Sequence, residues 1–190
     1  MRKLKLQMQL TIDSFVAGPQ GEMDWMQWNW DEALKDYVEQ ITDPVDCILL
    51  GRKLAEGFIP HWTSVAANPD DPEFSAGKKF TETQKVIFTK SLDRSVWDNS
   101  ILAKGELADE VSKLKSQAGK DMIVYGGSQF VSALIKENLI DEYHLFINPA
   151  AIGNGMTIFA GLEQKRDLKL AHARSFDCGV VVLCYEPDKV

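Results

Sequence analysis

The stretch Asp121-Met122-Ile123-Val124-Tyr125-Gly126-Gly127-Ser128-Gln129-Phe130-Val131-Ser132-Ala133-Leu134-Ile135 decides the fold. Met122 to Tyr125 is a short apolar run without alternation, the pattern of a strand buried on both faces, as in parallel sheets covered by helices. From about residue 129 to 138, Phe130, Val131, Leu134 and Ile135 fall on one helical stripe. Between them, two glycines let the backbone come close to a ligand, and the helix start offers free N–H groups and a positive dipole end. Ser128 can add an N-cap or a ligand hydroxyl. This is the geometry that holds a phosphate, although a tight strand-to-helix turn needs the same glycines. Neither the Walker A spacing nor GxGxxG is present, so an ordinary Rossmann fold is not supported.

Working outward, the pattern repeats. Lys3 to Ile12 alternates apolar and polar residues, predicting a half-buried strand. Gly18 to Trp30 reads as a loop. Leu34, Tyr37, Val38 and Ile41 predict a helix over residues 31–41, started by Asn29 or Asp31 and ended before Pro44. Val45 to Leu50 is another buried strand, and Gly51-Arg52-Lys53 follows it with two cations at a helix start. Guanidinium groups and backbone amides both suit a polyphosphate. Residues 61–79 read as a long surface loop, 85–89 as a strand ending in Thr89-Lys90-Ser91, and 106–118 as a helix stopped at Gly119. The C-terminal third returns to strands at 142–148 and 179–185, with another near 168–176. The alternation predicts one α/β domain over residues 1–190 with an antiparallel C-terminal edge. Ligands of open α/β sheets bind outside the carboxyl ends of the strands, where all three phosphate-friendly clusters fall.

Composition sets the outer bounds. The chain has 190 residues, 28 acidic and 21 basic, with a net charge of −7, which argues against a nucleic-acid partner. No apolar run approaches the ~20 residues of a membrane span and no signal-peptide block opens the chain, so a cytoplasmic protein is expected. Cys47, Cys178 and Cys184 lie in runs that read as buried strands, and His61, His144 and His172 match no zinc spacing, so no metal site is expected.

Taken together, TIDSFVAGPQGEMDW, ILLGRK, VIFTKSL and IVYGGSQFVSALIKENLIDEYHLFINPAAIGNG, with Phe159 after them, resemble the dihydrofolate reductase superfamily. Within it they look most like the reductase domain of bacterial bifunctional riboflavin-biosynthesis deaminase-reductases. The resemblance spans nearly the whole chain. It implies a dihydrofolate reductase-like fold, NADPH as cofactor, a small-molecule substrate and a homodimer. Residue by residue, it implies that Gly51, Arg52, Lys53 and Gly126, Gly127, Ser128, Gln129 hold the cofactor phosphates. Thr89, Lys90 and Ser91 would meet the 2′-phosphate. Thr11, Asp13, Ala17 and Gly18 would line the nicotinamide side, with Gly153 and Gly155 in the neighbouring loop. Two departures stand out: Ser14 where relatives carry glycine, and Leu54-Ala55 where they carry Thr-Tyr. The first implies a less open turn, the second a lost hydroxyl and weaker cofactor binding.

The chemistry expected is hydride transfer to a small heteroaromatic substrate of pyrimidine or pterin type, similar to 5-amino-6-(5-phosphoribosylamino)uracil reduction. Asp31, with Asp24 and Glu32 as alternatives, is the candidate for handling the proton, and Asp31 reads equally as a dipole-complementing helix start. Trp25 and Trp28, beside Trp30, Met23 and Met26, suit a stacked substrate or a dimer contact or core. Two other functions stay open, a non-catalytic nucleotide-binding dimer and a true dihydrofolate reductase. No deaminase half with zinc-ligand spacing is present.

Overall fold

Short apolar runs become strands here and the periodic segments between them become helices. The computed structural model describes residues 1–188. In chain order the elements are β1 (Leu4–Leu10), α1 (Glu32–Thr42), β2 (Val45–Gly51), α2 (Arg52–Ala66), α3 (Phe74–Glu82), β3 (Gln84–Phe88), β4 (Ser100–Ala103), α4 (Leu107–Ser116), β5 (Asp121–Val124), α5 (Ser128–Lys136), β6 (Glu142–Ile147), β7 (Leu168–Ser175) and β8 (Val181–Pro187). The eight strands form one sheet in the order β4-β3-β2-β5-β1-β6-β8-β7. The first six run parallel, while β8 is antiparallel to β6 and β7 to β8. This is the expected α/β architecture with its antiparallel edge.

Helices cover both faces. Val111 and Leu114 of α4 and Val131, Leu134 and Ile135 of α5 pack on Leu4, Leu6, Met8, Leu49 and Val124. On the other face Leu34, Tyr37 and Ile41 of α1 meet Phe146 and Val182, and Ala55 and Ile59 of α2 meet Ile48, Leu50, Ile87 and Ile123. Helices on both faces are what make a parallel sheet stable.

Four sequence expectations change. The first strand is not half-buried: Lys5 and Gln7 lie under α1, 6% and 8% exposed. Lys5 keeps its charge company there, its Nζ donating to the Ile41 carbonyl at 3.3 Å and pairing with Asp121 at 3.1 Å. Residues 61–79 are mostly helix, because α2 runs past Pro60 and α3 folds back on it. Trp62 and Phe80 hold that pair at 4.4 Å between ring centroids, and Phe58 and Phe80 at 5.4 Å. The parallel edge strand β4, absent from the sequence reading, is too short to show a pattern. Cys178 sits in the β7–β8 turn rather than in a strand, whereas Cys47 and Cys184 are buried in β2 and β8.

Candidate active site

Parallel strands all present their carboxyl ends on one side, and the sheet order sets what meets there. From β3 through β2 and β5 to β1 is three strand spacings, about 14 Å. Across that distance lie, in order, Thr89-Lys90-Ser91, Gly51-Arg52-Lys53, Gly126-Gly127-Ser128-Gln129 and the turn that holds Thr11 and Asp13. Four groups scattered over some 120 residues thus become one strip.

At its centre two neighbouring strands each run directly into a helix with a glycine N-cap. Gly51 caps α2 and Gly127 caps α5, neither with a side-chain hydrogen bond, so the first-turn N–H groups of both helices face outward. Gly126 has φ +150°, a left-handed conformation that a side chain resists, and Leu54 and Met8 lie beneath it. A Cβ on Gly127 would meet nothing within 4 Å, whereas one on Gly51 would touch Phe130 at 3.2 Å. Space in front of Gly127 and close packing behind Gly51 are what a pyrophosphate cradle requires. These residues therefore fit a dinucleotide phosphate. Arg52 pairs with Glu56 at 2.5 Å on the same helix, and Lys53 is exposed. Leu54 packs under the Gly126 turn, an apolar contact.

At the β3 end, the Thr89 hydroxyl accepts from the N–H groups of Ser91 and Leu92 at 3.1 and 3.2 Å and shapes a tight turn. Lys90 Nζ reaches the carbonyls of Lys104 and Gly105 and the Glu106 carboxylate, all near 3 Å. It ties β3 to the loop before α4.

On the other side of the cradle, the turn after β1 is stitched to the loop after β6. Ile12 N–H donates to the Ala150 carbonyl, Val16 N–H to Met156 and Met156 N–H to Ala17, each at 2.8 Å. The Asp13 carboxylate accepts from Ile152 N–H at 3.1 Å and Gly153 N–H at 2.6 Å. The Thr11 hydroxyl and then these backbone N–H groups hold the Asp13 carboxyl below its ordinary range. Gly155 is required by the same seam, since a Cβ there would lie 2.2 Å from the Ala17 carbonyl oxygen. Gly18 closes the turn, its N–H donating to the Glu22 carbonyl at 2.8 Å.

Asp31 uses both oxygens on backbone. One accepts from Leu34 N–H at 2.8 Å as the N-cap of α1, the other from Cys178 N–H at 2.9 Å in the β7–β8 turn. The Cys178 and Leu34 amides lower its pKa. Asp24 and Glu32 are exposed, Glu32 pairing with Lys35. The tryptophans separate. Trp28 is 71% exposed and stacks on Trp30 at 6.3 Å, Trp30 stacks on Phe146 at 6.2 Å, and Trp25 turns its indole N–H into a buried position without a partner. Sequence reasoning missed Asn148, which is fully buried at the β6 end. Its side chain takes the Gln27 N–H at 3.1 Å and donates to Gln9 at 2.8 Å, fastening the tryptophan loop to the sheet. The only sequence sign of it was a polar residue closing an apolar strand.

No described helix is long and apolar enough to cross a membrane. The uncharacterized protein YyaP of Bacillus subtilis (strain 168) is 31% identical over 186 residues, covering 97% of this chain and 94% of that one. The crystal structure of a riboflavin biosynthesis protein from Shewanella sp. PV-4 superposes with a TM-score of 0.71 at 19% identity, each chain covered completely. That of the diaminohydroxyphosphoribosylaminopyrimidine deaminase/5-amino-6-(5-phosphoribosylamino)uracil reductase of Thermotoga maritima gives 0.70 at 16% identity, over 98% of this chain and 56% of that one. The model of the RibD C-terminal domain matches residues 2–182. With its dihydrofolate reductase-like sheet and its helix-start cradle, the chain belongs to the RibD C-terminal domain family.

Proposed function

We propose that the protein is an NADPH-dependent reductase that delivers a hydride to a small heteroaromatic substrate. The observation that carries this reading is the pair of adjacent strands, β2 and β5, each entering a helix through an uncapped glycine, with Arg52 and Lys53 beside them. The family's reductase domains of riboflavin biosynthesis supply the reaction class. NADPH, when bound, supplies the hydride.

The residues divide the remaining work. Amides of Ser128 and Gln129 and the cations Arg52 and Lys53 hold the pyrophosphate, and the Thr89-Lys90-Ser91 turn faces the 2′-phosphate. The stitched wall of Thr11, Asp13, Ala17 and Gly18 orients the nicotinamide side, keeping donor and acceptor carbons aligned. Asp13 and Asp31 act as positioning groups. Both carboxyls are shifted down and committed to backbone N–H groups, which makes them poor proton donors, so the proton enters from water.

Gly127→Asp tests the cradle without disturbing the fold, because Gly127 has φ −63° and open space before it. The new carboxylate would cap α5 and put negative charge where the phosphate lies. Titration with NADPH is expected to show binding by the wild type and at least tenfold weaker binding by the variant, about 1.4 kcal/mol, with no loss of thermal stability. Equal affinity would remove the cradle from the binding site, and a wild type that ignores NADPH would refute the reductase reading. Binding with no ring oxidising the cofactor would favour a non-catalytic nucleotide-binding protein.

A further inference from the structure

The two halves of the candidate cleft differ in charge and surface. The cofactor half carries Arg52, Lys53 and Lys90. The substrate half is built from two segments, 11–34 and 145–164, and neither contains a single lysine or arginine. They are the segments joined by the Ile12–Ala150, Asp13–Gly153, Ala17–Met156 and Gln27–Asn148 hydrogen bonds, so the rim they form is continuous. It bears Asp13, Glu22, Asp24 and Asp31, and the adjoining β7–β8 turn adds Asp177. Of the flanking cations, Lys35 pairs with Glu32 at 2.7 Å and Lys165 with Asp167 at 2.8 Å, while Arg174 lies 4.8 Å over the Phe176 ring. An independent feature shares the rim, the outward face of Trp28, backed by Trp30 and Phe146 in a stack. The same segment also exposes Ile12 and Met23, 64% and 53%.

A phosphate monoester carries nearly two negative charges and is recognised by arginine, lysine or free backbone amides. The charged side chains of these two segments are all carboxylates, and Asp13 already takes the Ile152 and Gly153 amides. A flat ring, by contrast, gains from stacking on an exposed indole, and a cationic ring gains more.

We infer that the substrate is a flat aromatic or heteroaromatic ring that carries no phosphate, neutral or cationic, held on Trp28; this rests on the reductase reading. The chain thus differs from a reductase of phosphoribosylated pyrimidines in what it accepts, not in how it holds NADPH.

The test uses the full chain saturated with NADPH, with riboflavin and riboflavin 5′-phosphate as matched probes that differ by one phosphate. Flavin fluorescence quenching is expected to show riboflavin bound at least tenfold more tightly at 50 mM salt. The gap should shrink severalfold at 500 mM, where the screening length drops to a few ångströms. Trp28→Ala should weaken riboflavin at least fivefold and leave NADPH affinity unchanged. In turnover, the phosphate-free ribonucleoside of 5-amino-6-(5-phosphoribosylamino)uracil should oxidise NADPH faster than the phosphorylated compound. Equal or tighter binding of the phosphorylated flavin, faster turnover of the phosphorylated pyrimidine, insensitivity to Trp28→Ala, or no binding of either flavin would each overturn the inference while NADPH still binds. Loss of NADPH binding itself would bring down the reductase reading, and this inference with it.

Discussion

Ser14 holds φ +69°, in the left-handed region that favours glycine. A left-handed residue with a side chain costs roughly 1–2 kcal/mol, part of which glycine returns as extra freedom in the unfolded chain. Ser14→Gly is expected to stabilise the protein by about 0.5–1 kcal/mol, read as a higher urea midpoint at unchanged slope. Gly155→Ala works the other way. Its Cβ would collide with the Ala17 carbonyl, a backbone atom that cannot swing aside, so a loss of at least about 2 kcal/mol is expected together with weaker NADPH binding. At Asp31 the expected contrast is between substitutions. Asparagine keeps one acceptor, turns its amide NH2 toward the other N–H, and should leave the pH profile of turnover unchanged while lowering Tm; alanine orphans both N–H groups and should lower Tm further. Sequence pattern exposed much of this at single positions, since Ser14 and Asp31 both stood out. It could not show Asp13 as a clasp or Asn148 as an anchor, because their partners lie more than 100 residues away.

Elements were legible where their burial is regular. Gly-rich strand ends at 51 and 126 and the helix stripes were visible because a two-sided parallel sheet imposes continuous apolar runs. The α2–α3 hairpin was hidden by Pro60, which α2 runs through, and by Pro69, Asp70, Asp71 and Pro72, which form the turn between two helices that aromatic packing holds together. Gly77 is the point of closest approach in that hairpin: a Cβ there would lie 2.8 Å from the Ala66 backbone nitrogen and equally close to Val65. Gly77→Ala should separate the two helices and destabilise by about 1–3 kcal/mol, measured by chemical denaturation. Because α2 begins at the cradle, a secondary fall in NADPH affinity is expected from the same variant.

Across the whole molecule, charge is organised by location. Beside the amino end of β1, far from the cleft, Glu142 accepts from His144 at 3.4 Å and Lys3 at 2.5 Å, and these partners hold its carboxyl at about 2 against desolvation. A carboxylate lowered on folding stabilises the native state above its unfolded pKa, and that contribution fades as pH falls through the folded value. Between about pH 4.5 and 2 the wild type should therefore lose Tm more steeply than Glu142→Gln; identical slopes would contradict the pairing. The sheet order has a further consequence, for how the chain comes together. β1 lies between β5 and β6, so its first partner residue in sequence is Met122. An emerging chain must keep an apolar amino-terminal strand unpaired until two thirds of the polypeptide has been synthesised. Such distant pairing is slow, since loop closure must precede any reward. The insertion of β5 that ends this wait also brings Gly126 beside Gly51, so the cradle exists only once β5 has joined β2. Adding NADPH during refolding should leave the folding rate unchanged and slow only unfolding.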